Sequence, residues 1–197
     1  MRKILLISVA LFATFGLSGC SYNALTEKQQ NVKGKWANVE SAMQRRADLL
    51  PNVFEAAKAA GFNEQTVFGK IADARTKLAN AQKEEPKGTD GNKTPEQKQA
   101  VMQANSDLSR LLVLFENYPQ LRSNEAFLKV QDEIAGSENR IDVARKDFND
   151  AVTDYNTTRN QFPGVLTASL MGFDEEPYFN AENKEAPKLN ADDLKGN

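Results

Sequence analysis

Histidine is absent from all 197 residues, and cysteine occurs once, at position 20. The first absence removes the side chain that most often acts as general base near neutral pH, and with it the commonest zinc ligand. The second excludes a disulfide within one molecule. An excess of positive charge is also missing, since 25 Lys and Arg stand against 27 Asp and Glu. No basic stripe is available to displace counterions from phosphate, so nucleic acid is not an expected partner. The chain has no phosphate-binding glycine loop, no nucleophile elbow and no calcium-loop spacing; Asp90 and Asn92 are too few ligands by themselves. Carboxylates such as Asp132-Glu133 and Asp174-Glu175-Glu176 are neighbours in sequence, whereas a glycosidase needs two that converge across a cleft. The expectation is therefore a protein without enzymatic activity, metal or cofactor.

Long apolar runs are lacking too, apart from one. Arg2 and Lys3 precede Ile4–Phe15, and small residues follow at Gly16, Ser18 and Gly19. This is the order of a secretory signal peptide, and the run is short for a membrane span, which needs about 20 apolar residues. Leu17-Ser18-Gly19-Cys20 resembles a bacterial lipobox, in which the chain is cut before the cysteine and its thiol acylated. The alternative is an uncleaved signal anchor or an exported chain with a free thiol. Residues 1–19 are thus expected to be a signal peptide, and Cys20 the lipidation site, carrying palmitate-type chains. At about 0.8 kcal/mol per buried methylene, more than one chain makes such an anchor stable. Without Arg2 and Lys3 the remaining chain has 23 basic and 27 acidic residues. By resemblance to lipoprotein sorting, Ser21 in place of Asp points to the outer membrane rather than the inner one.

What is abundant is helix-forming sequence. Gly and Pro are sparse between Ser21 and Gln82, where Ala, Gln, Lys, Glu and Leu dominate. Leu25, Val32, Trp36, Val39, Met43, Leu50, Val53 and Ala57 recur at spacings of threes and fours, which predicts a helix from about Tyr22 to Ala60, kinked at Pro51. Gln29 and Arg46 are the polar residues in its seam. Gly61 is placed to end it; Asn63 is placed to cap the next helix, and Phe62 to staple against Val67. Val67, Ile71, Ala74, Leu78 and Ala81 mark the second helix. "KEEPKGTDGNK" reads as a loop, and Thr94-Pro95-Glu96-Gln97 as a capping box that opens a third. The third helix would bury Val101, Leu108, Leu112 and Phe115 and stop before Pro119. Phe127, Ile134, Ile141, Phe148, Tyr155 and Phe162 recur every seven residues, a continuous seam of coiled-coil type. A short helix over "GVLTASLMG" would close at Gly172, and from Asn180 the chain is polar, a composition that predicts disorder. The fold class expected is all-α: an elongated antiparallel up-and-down four-helix bundle with two long helices. The alternative is three long helices, the second and third collinear.

Polar residues interrupt the seams at Arg45, Arg46, Asp48 and Asn52, and again at Glu138, Arg145, Asn149, Asn156 and Arg159. A network that fixes helix register, or a solvated face, explains such strips more often than a groove for a peptide, glycan or partner helix. Tyr118 and Pro119, with Arg122 beside them, occupy the turn before the last long helix; Phe173, Pro177, Tyr178 and Phe179 lie beyond it. These aromatics either fold back on the helices or form a partner-binding patch.

Tyr22-Asn23-Ala24-Leu25, Trp36, "RRADLLPN" from Arg45 to Asn52, Ala74-Arg75, "ENYPQLRSNEAF" from Glu116, "ENRIDVARKDFNDAV" from Glu138 and Tyr155-Asn156 together resemble the LemA family of bacterial envelope proteins. Phe162-Pro163, Gly172-Phe173 and Pro177-Tyr178-Phe179 agree with it. The likeness covers nearly all of the chain after Cys20. It implies a helical bundle over residues 20–179, tied to a membrane at its N-terminus and facing away from the cytoplasm, followed by a polar tail over 180–197. It supplies no reaction and no agreed ligand. The family's recurrent positions correspond to Arg46, Asp48, Pro51, Asn52, Tyr118, Pro119, Arg145, Asn149 and Asn156. Many members carry an uncleaved membrane helix where this chain has a lipobox.

The functional expectation is a membrane-anchored, non-enzymatic lipoprotein that scaffolds or recruits an envelope protein or peptide on the periplasmic side. The candidate partner-binding residues are Arg46, Asp48, Asn52, Tyr118, Arg122, Glu138, Arg145, Asn149 and Asn156. The alternative is a carboxylate-dependent enzyme or binder acting on envelope glycan.

Overall fold

A computed structural model describes the backbone of residues 2–62, 65–88, 93–113 and 124–179, with side chains from Ser21 onward apart from 111 and 113. The expected cap at Asn63, the core residue Phe115, the turn residues Tyr118, Pro119 and Arg122, the Cys20 side chain and the tail from Asn180 lie outside these described residues. All regular structure within them is helical: α1 (Arg2–Asp48), α2 (Leu50–Ala59), α3 (Gln65–Lys83), α4 (Pro95–Val113), α5 (Glu125–Asn160) and α6 (Gly164–Met171). The chain divides into two compact units, one built from Met1–Asn38 and Ala144–Phe179, the other from Val39–Val143.

In the first unit, Leu25, Val32 and Trp36 of α1 are buried, as are Phe148, Val152 and Tyr155 of α5. Lys28 pairs with Asp154 at 2.5 Å and Lys35 with Asp147 at 3.0 Å, while Trp36 meets Phe148 edge-on, 5.5 Å between centroids. Residue numbers rise on one helix as they fall on the other, so these parts of α1 and α5 run antiparallel. Beyond α5 the chain doubles back tightly. A Cβ on Gly164 would lie 2.0 Å from the Thr158 carbonyl oxygen, so only glycine fits there. Gly172, at φ 73°, closes α6 where the sequence places its end.

One member of the heptad seam departs from expectation. Phe127, Ile141, Phe148 and Tyr155 are buried and Ile134 half-buried, but Phe162 is 74% exposed. α5 ends at Asn160, because the residue before a proline is disfavoured in helical conformation. Phe162 precedes Pro163 and leaves the helix before the repeat can seat it.

In the second unit, Val39, Met43, Leu50, Val53 and Ala57 are buried, so the register does resume across Pro51. The break falls at Leu49, giving two helices rather than one bent helix, with Pro51 in the first turn of α2. The end of α2 is a complete Schellman motif: Gly61 N–H donates to Lys58 O, Phe62 N–H to Ala57 O, and Gly61 has φ 80°. Phe62 packs edge-on against Phe68, 5.4 Å between centroids; Val67, the staple partner expected, is buried as well. Val67, Ile71, Ala74 and Leu78 form the buried face of α3, and Ala81 is half-buried.

α3 and α4 lie against each other rather than end to end, which excludes the collinear alternative. The predicted capping box is present in both directions: Gln97 N–H donates to Thr94 Oγ1 (3.3 Å) and Thr94 N–H to Gln97 Oε1 (3.1 Å). The segment between the two helices does more than its polar composition indicates. Lys93 is buried, its ammonium donating to the carbonyls of Gln82 (2.6 Å) and Glu84 (2.9 Å) at the end of α3, with Glu40 at 3.5 Å. A cation there satisfies orphaned helix carbonyls and meets the negative end of the helix dipole. The Gln97 amide also donates to Glu85 O and its oxygen accepts from Lys87 N–H.

Candidate functional site

Arg46 comes off the last turn of α1 on the core side and is only 4% exposed. A buried guanidinium needs an opposing charge and filled donors. It forms an ion pair with Glu138 of α5 and donates from Nη1 to Ser109 Oγ of α4 at 2.8 Å. Ser109 in turn donates to the Asn105 carbonyl at 3.0 Å. Glu138 is 38% exposed, so the pair reaches from the interior to solvent.

This pair stands at the polar end of a half-open cavity of about 290 Å³. Val53, Leu112, Phe127, Val130 and Ile134 make its apolar lining; Ser109 and Gln131 join Arg46 and Glu138 on the polar side, and Ala135 lies at an exposed position of the wall. An apolar hollow with a few fixed polar groups is the usual form of a ligand or side-chain pocket. One turn before Ser109 on α4, Asn105 is fully buried, and among the described residues neither atom of its side-chain amide has a hydrogen-bond partner.

The other expected site residues divide. Asp48 and Asn52 are exposed, Asp48 accepting from Gln44 one turn back, so neither joins Arg46. Arg145, Asn149 and Asn156 lie in the first unit and hold the segment from Phe173 to Phe179. Asn149 brackets Phe179, accepting from its N–H at 2.7 Å and donating to its carbonyl at 3.1 Å. Asn156 does the same for Glu176 at 3.0 and 2.8 Å. Tyr155 donates to Asp174 O, Arg159 to Phe173 O, and the Arg145 guanidinium covers the Phe179 ring at 4.5 Å. The numbers fall along α5 as they rise along the segment. Seven residues of helix rise about 10.5 Å, matching the roughly 10 Å that three residues of extended chain span. Two asparagines seven apart therefore meet two residues three apart. Phe173 and Phe179 are folded back onto the helices, whereas Tyr178 is exposed.

Two carboxylates sit below the ordinary glutamate range, both at the α3–α4 connection. Glu84 is lowered by its hydrogen bond and attraction to Lys87, and Glu96 by its own backbone N–H and the Thr94 hydroxyl. Both are consequences of capping and local pairing. Among the described residues no group of His, Cys, Asp and Glu is arranged to hold a metal ion. Among the described residues no helix is long and apolar enough to cross a membrane.

Sequence reasoning missed Ser109, Asn105 and Gln131. Ser109 and Asn105 share their helix face with Val101, Leu108 and Leu112, and that shared spacing was the available signal.

Comparison with known proteins adds the lineage. The family model described as LemA family matches residues 35–190. Magnetosome proteins MamQ 1 and MamQ 2 of Paramagnetospirillum magneticum are each 26% identical over 174 residues, 80% of this chain and 64% of theirs. Magnetosome protein MamQ of Magnetospirillum gryphiswaldense is 25% identical over 195 residues, covering 91% of this chain and 71% of the relative. The chain thus spans about 64% of the length of the first two.

Proposed function

The chain belongs to the LemA family, and we propose that within it this protein is a membrane-tethered, non-catalytic scaffold that seats a partner side chain or helix in the cavity beside Arg46. The observation that carries this reading is the cavity itself: apolar walls, a mouth open to solvent, and an ion pair already satisfied by Ser109 and Glu138. A group entering it gains apolar burial without stripping an unpaired charge. The Glu138 carboxylate is committed to Arg46, which speaks against its use as the acid of a glycan-cleaving pair.

In this reading residues 1–19 are a signal peptide, Cys20 carries the lipid, and the protein faces the periplasm from the outer membrane. The names of the relatives as magnetosome proteins support work at a cellular assembly rather than free in solution.

The test is photo-crosslinking in cells from a probe at Gln131, with Ala135→Trp as the blocking variant. Ala135 is exposed, so the added indole fills the mouth and leaves the core packing alone. One dominant adduct, lost in Ala135→Trp at unchanged helicity and melting, is the expected result. Adducts spread over abundant neighbours, or unaffected by the block, would refute the scaffold reading.

A further inference from the structure

α6 turns its small residues inward and its large apolar ones outward. Its small residues Gly164, Thr167 and Ala168 are buried. Val165, Leu166, Leu170 and Met171 are exposed, Leu170 at 82%, and Phe162 joins them. Large apolar side chains exposed together on an uncharged helix, with Ser169 the polar residue among them, mark a place that water does not cover in use. Gly172 and Phe173 follow α6 directly, and Phe173 stacks edge-on with Tyr22, 5.6 Å between centroids. Tyr22 is two residues from Cys20 and seven from the end of the apolar run at Phe15. Since α1 is helical from Arg2, that run ends roughly 10 Å along the axis from Tyr22. On the membrane-tether reading, whether the chain is held by acyl chains on Cys20 or by the run itself, the membrane surface lies at this end of the unit.

We propose that the exposed face of α6, with Phe162, is a second membrane contact that inserts into the acyl boundary of the bilayer beside the tether. Apolar burial at α6 adds to the hold of the tether, and Tyr22, 44% exposed, has the amphipathic ring that suits the headgroup level. A second copy of the chain is a poorer occupant, because five side chains fall well short of the roughly 20–30 residues a side of a stable interface. Asp174, Glu175 and Glu176 follow close behind α6. Contact is therefore driven by apolar burial and opposed by anionic headgroups, so neither anionic lipid nor low salt strengthens it.

This inference rests on the membrane-tether reading, and the experiment separates the two. The full chain, purified from membranes, is reconstituted into phosphatidylethanolamine–phosphatidylglycerol vesicles with a spin label at Leu166→Cys, Leu170→Cys or, as control, Lys146→Cys. The unsubstituted chain reports any labelling at Cys20. The expected result is a several-fold higher ratio of oxygen to nickel-chelate accessibility at 166 and 170 than at 146, not lowered by added salt and not raised by more phosphatidylglycerol. Labels at 166 and 170 as water-accessible as at 146, on a chain that floats with the vesicles, overturn the α6 contact and leave the tether standing. Labels shielded from both reagents and dipolar-broadened overturn it in favour of a second copy. A chain that does not float with vesicles overturns tether and contact together.

Discussion

Arg46 and Glu138 set the energetics at the scale of single residues. Removing one member of a buried pair strands the other, at about 3–5 kcal/mol when both are buried. Glu138 is over a third exposed, so water relieves part of that, and Glu138→Gln is expected to cost about 1–2 kcal/mol in urea unfolding. Arg46→Met added to it should recover much of the loss, because the stranded charge goes with it; a fully additive double variant would show the two do not interact. Asn105 makes the opposite prediction. Among the described residues its buried side-chain amide has no partner, so Asn105→Leu, which keeps the branched shape at a larger volume, is expected to stabilise by about 1 kcal/mol. A destabilised variant would mean that a buried water or ligand serves that amide.

At the scale of elements, the segment Phe173–Phe179 is held on α5 by side chains rather than by a backbone ladder. Asn149→Ala and Asn156→Ala each remove two hydrogen bonds to it. Amide exchange at Phe179 and Glu176 is expected to accelerate at least tenfold, while the melting of α1 and α5 shifts little, since local opening need not involve the core. Equal acceleration throughout the helices would make these asparagines part of the global fold. The α3–α4 connection carries a pH prediction. Glu84 and Glu96 titrate below the ordinary glutamate value in the folded chain. Their contribution is therefore complete above that value and lost as pH falls through the lower folded one. Carboxyl titration by NMR should place both midpoints below that of glutamate in an unfolded peptide, and Lys87→Ala should raise the Glu84 midpoint.

At the scale of the whole chain, the prediction concerns its attachment. Cys20→Ser is expected to abolish the acyl mass increment and the cut before residue 20, leaving the precursor length by intact mass spectrometry. An unchanged mass would return the N-terminus to the uncleaved-anchor alternative. Family membership, spanning residues 35–190, was legible in motifs such as "RRADLLPN" and "ENRIDVARKDFNDAV" because a family conserves local strings of residues. The candidate cavity was legible only at Arg46 and Glu138. Ser109 and Gln131 are ordinary polar residues until four helices bring them to one hollow.

The sequence by itself determined the helices, their buried faces, the Thr94–Gln97 cap and the glycine stops at Gly61 and Gly172. Each of these depends on residues within about two turns of one another, and a helix writes that spacing into the order of side chains. Tertiary structure alone decided that Arg46 meets Glu138, that Lys93 closes α3, that Asn149 and Asn156 grip an extended segment, and that α6 turns its large apolar side chains outward. Those outcomes depend on which groups lie within a few ångströms across the fold. No period records such distances: the same asparagine satisfies a solvated face, a register lock or a bound strand until its neighbours are in place.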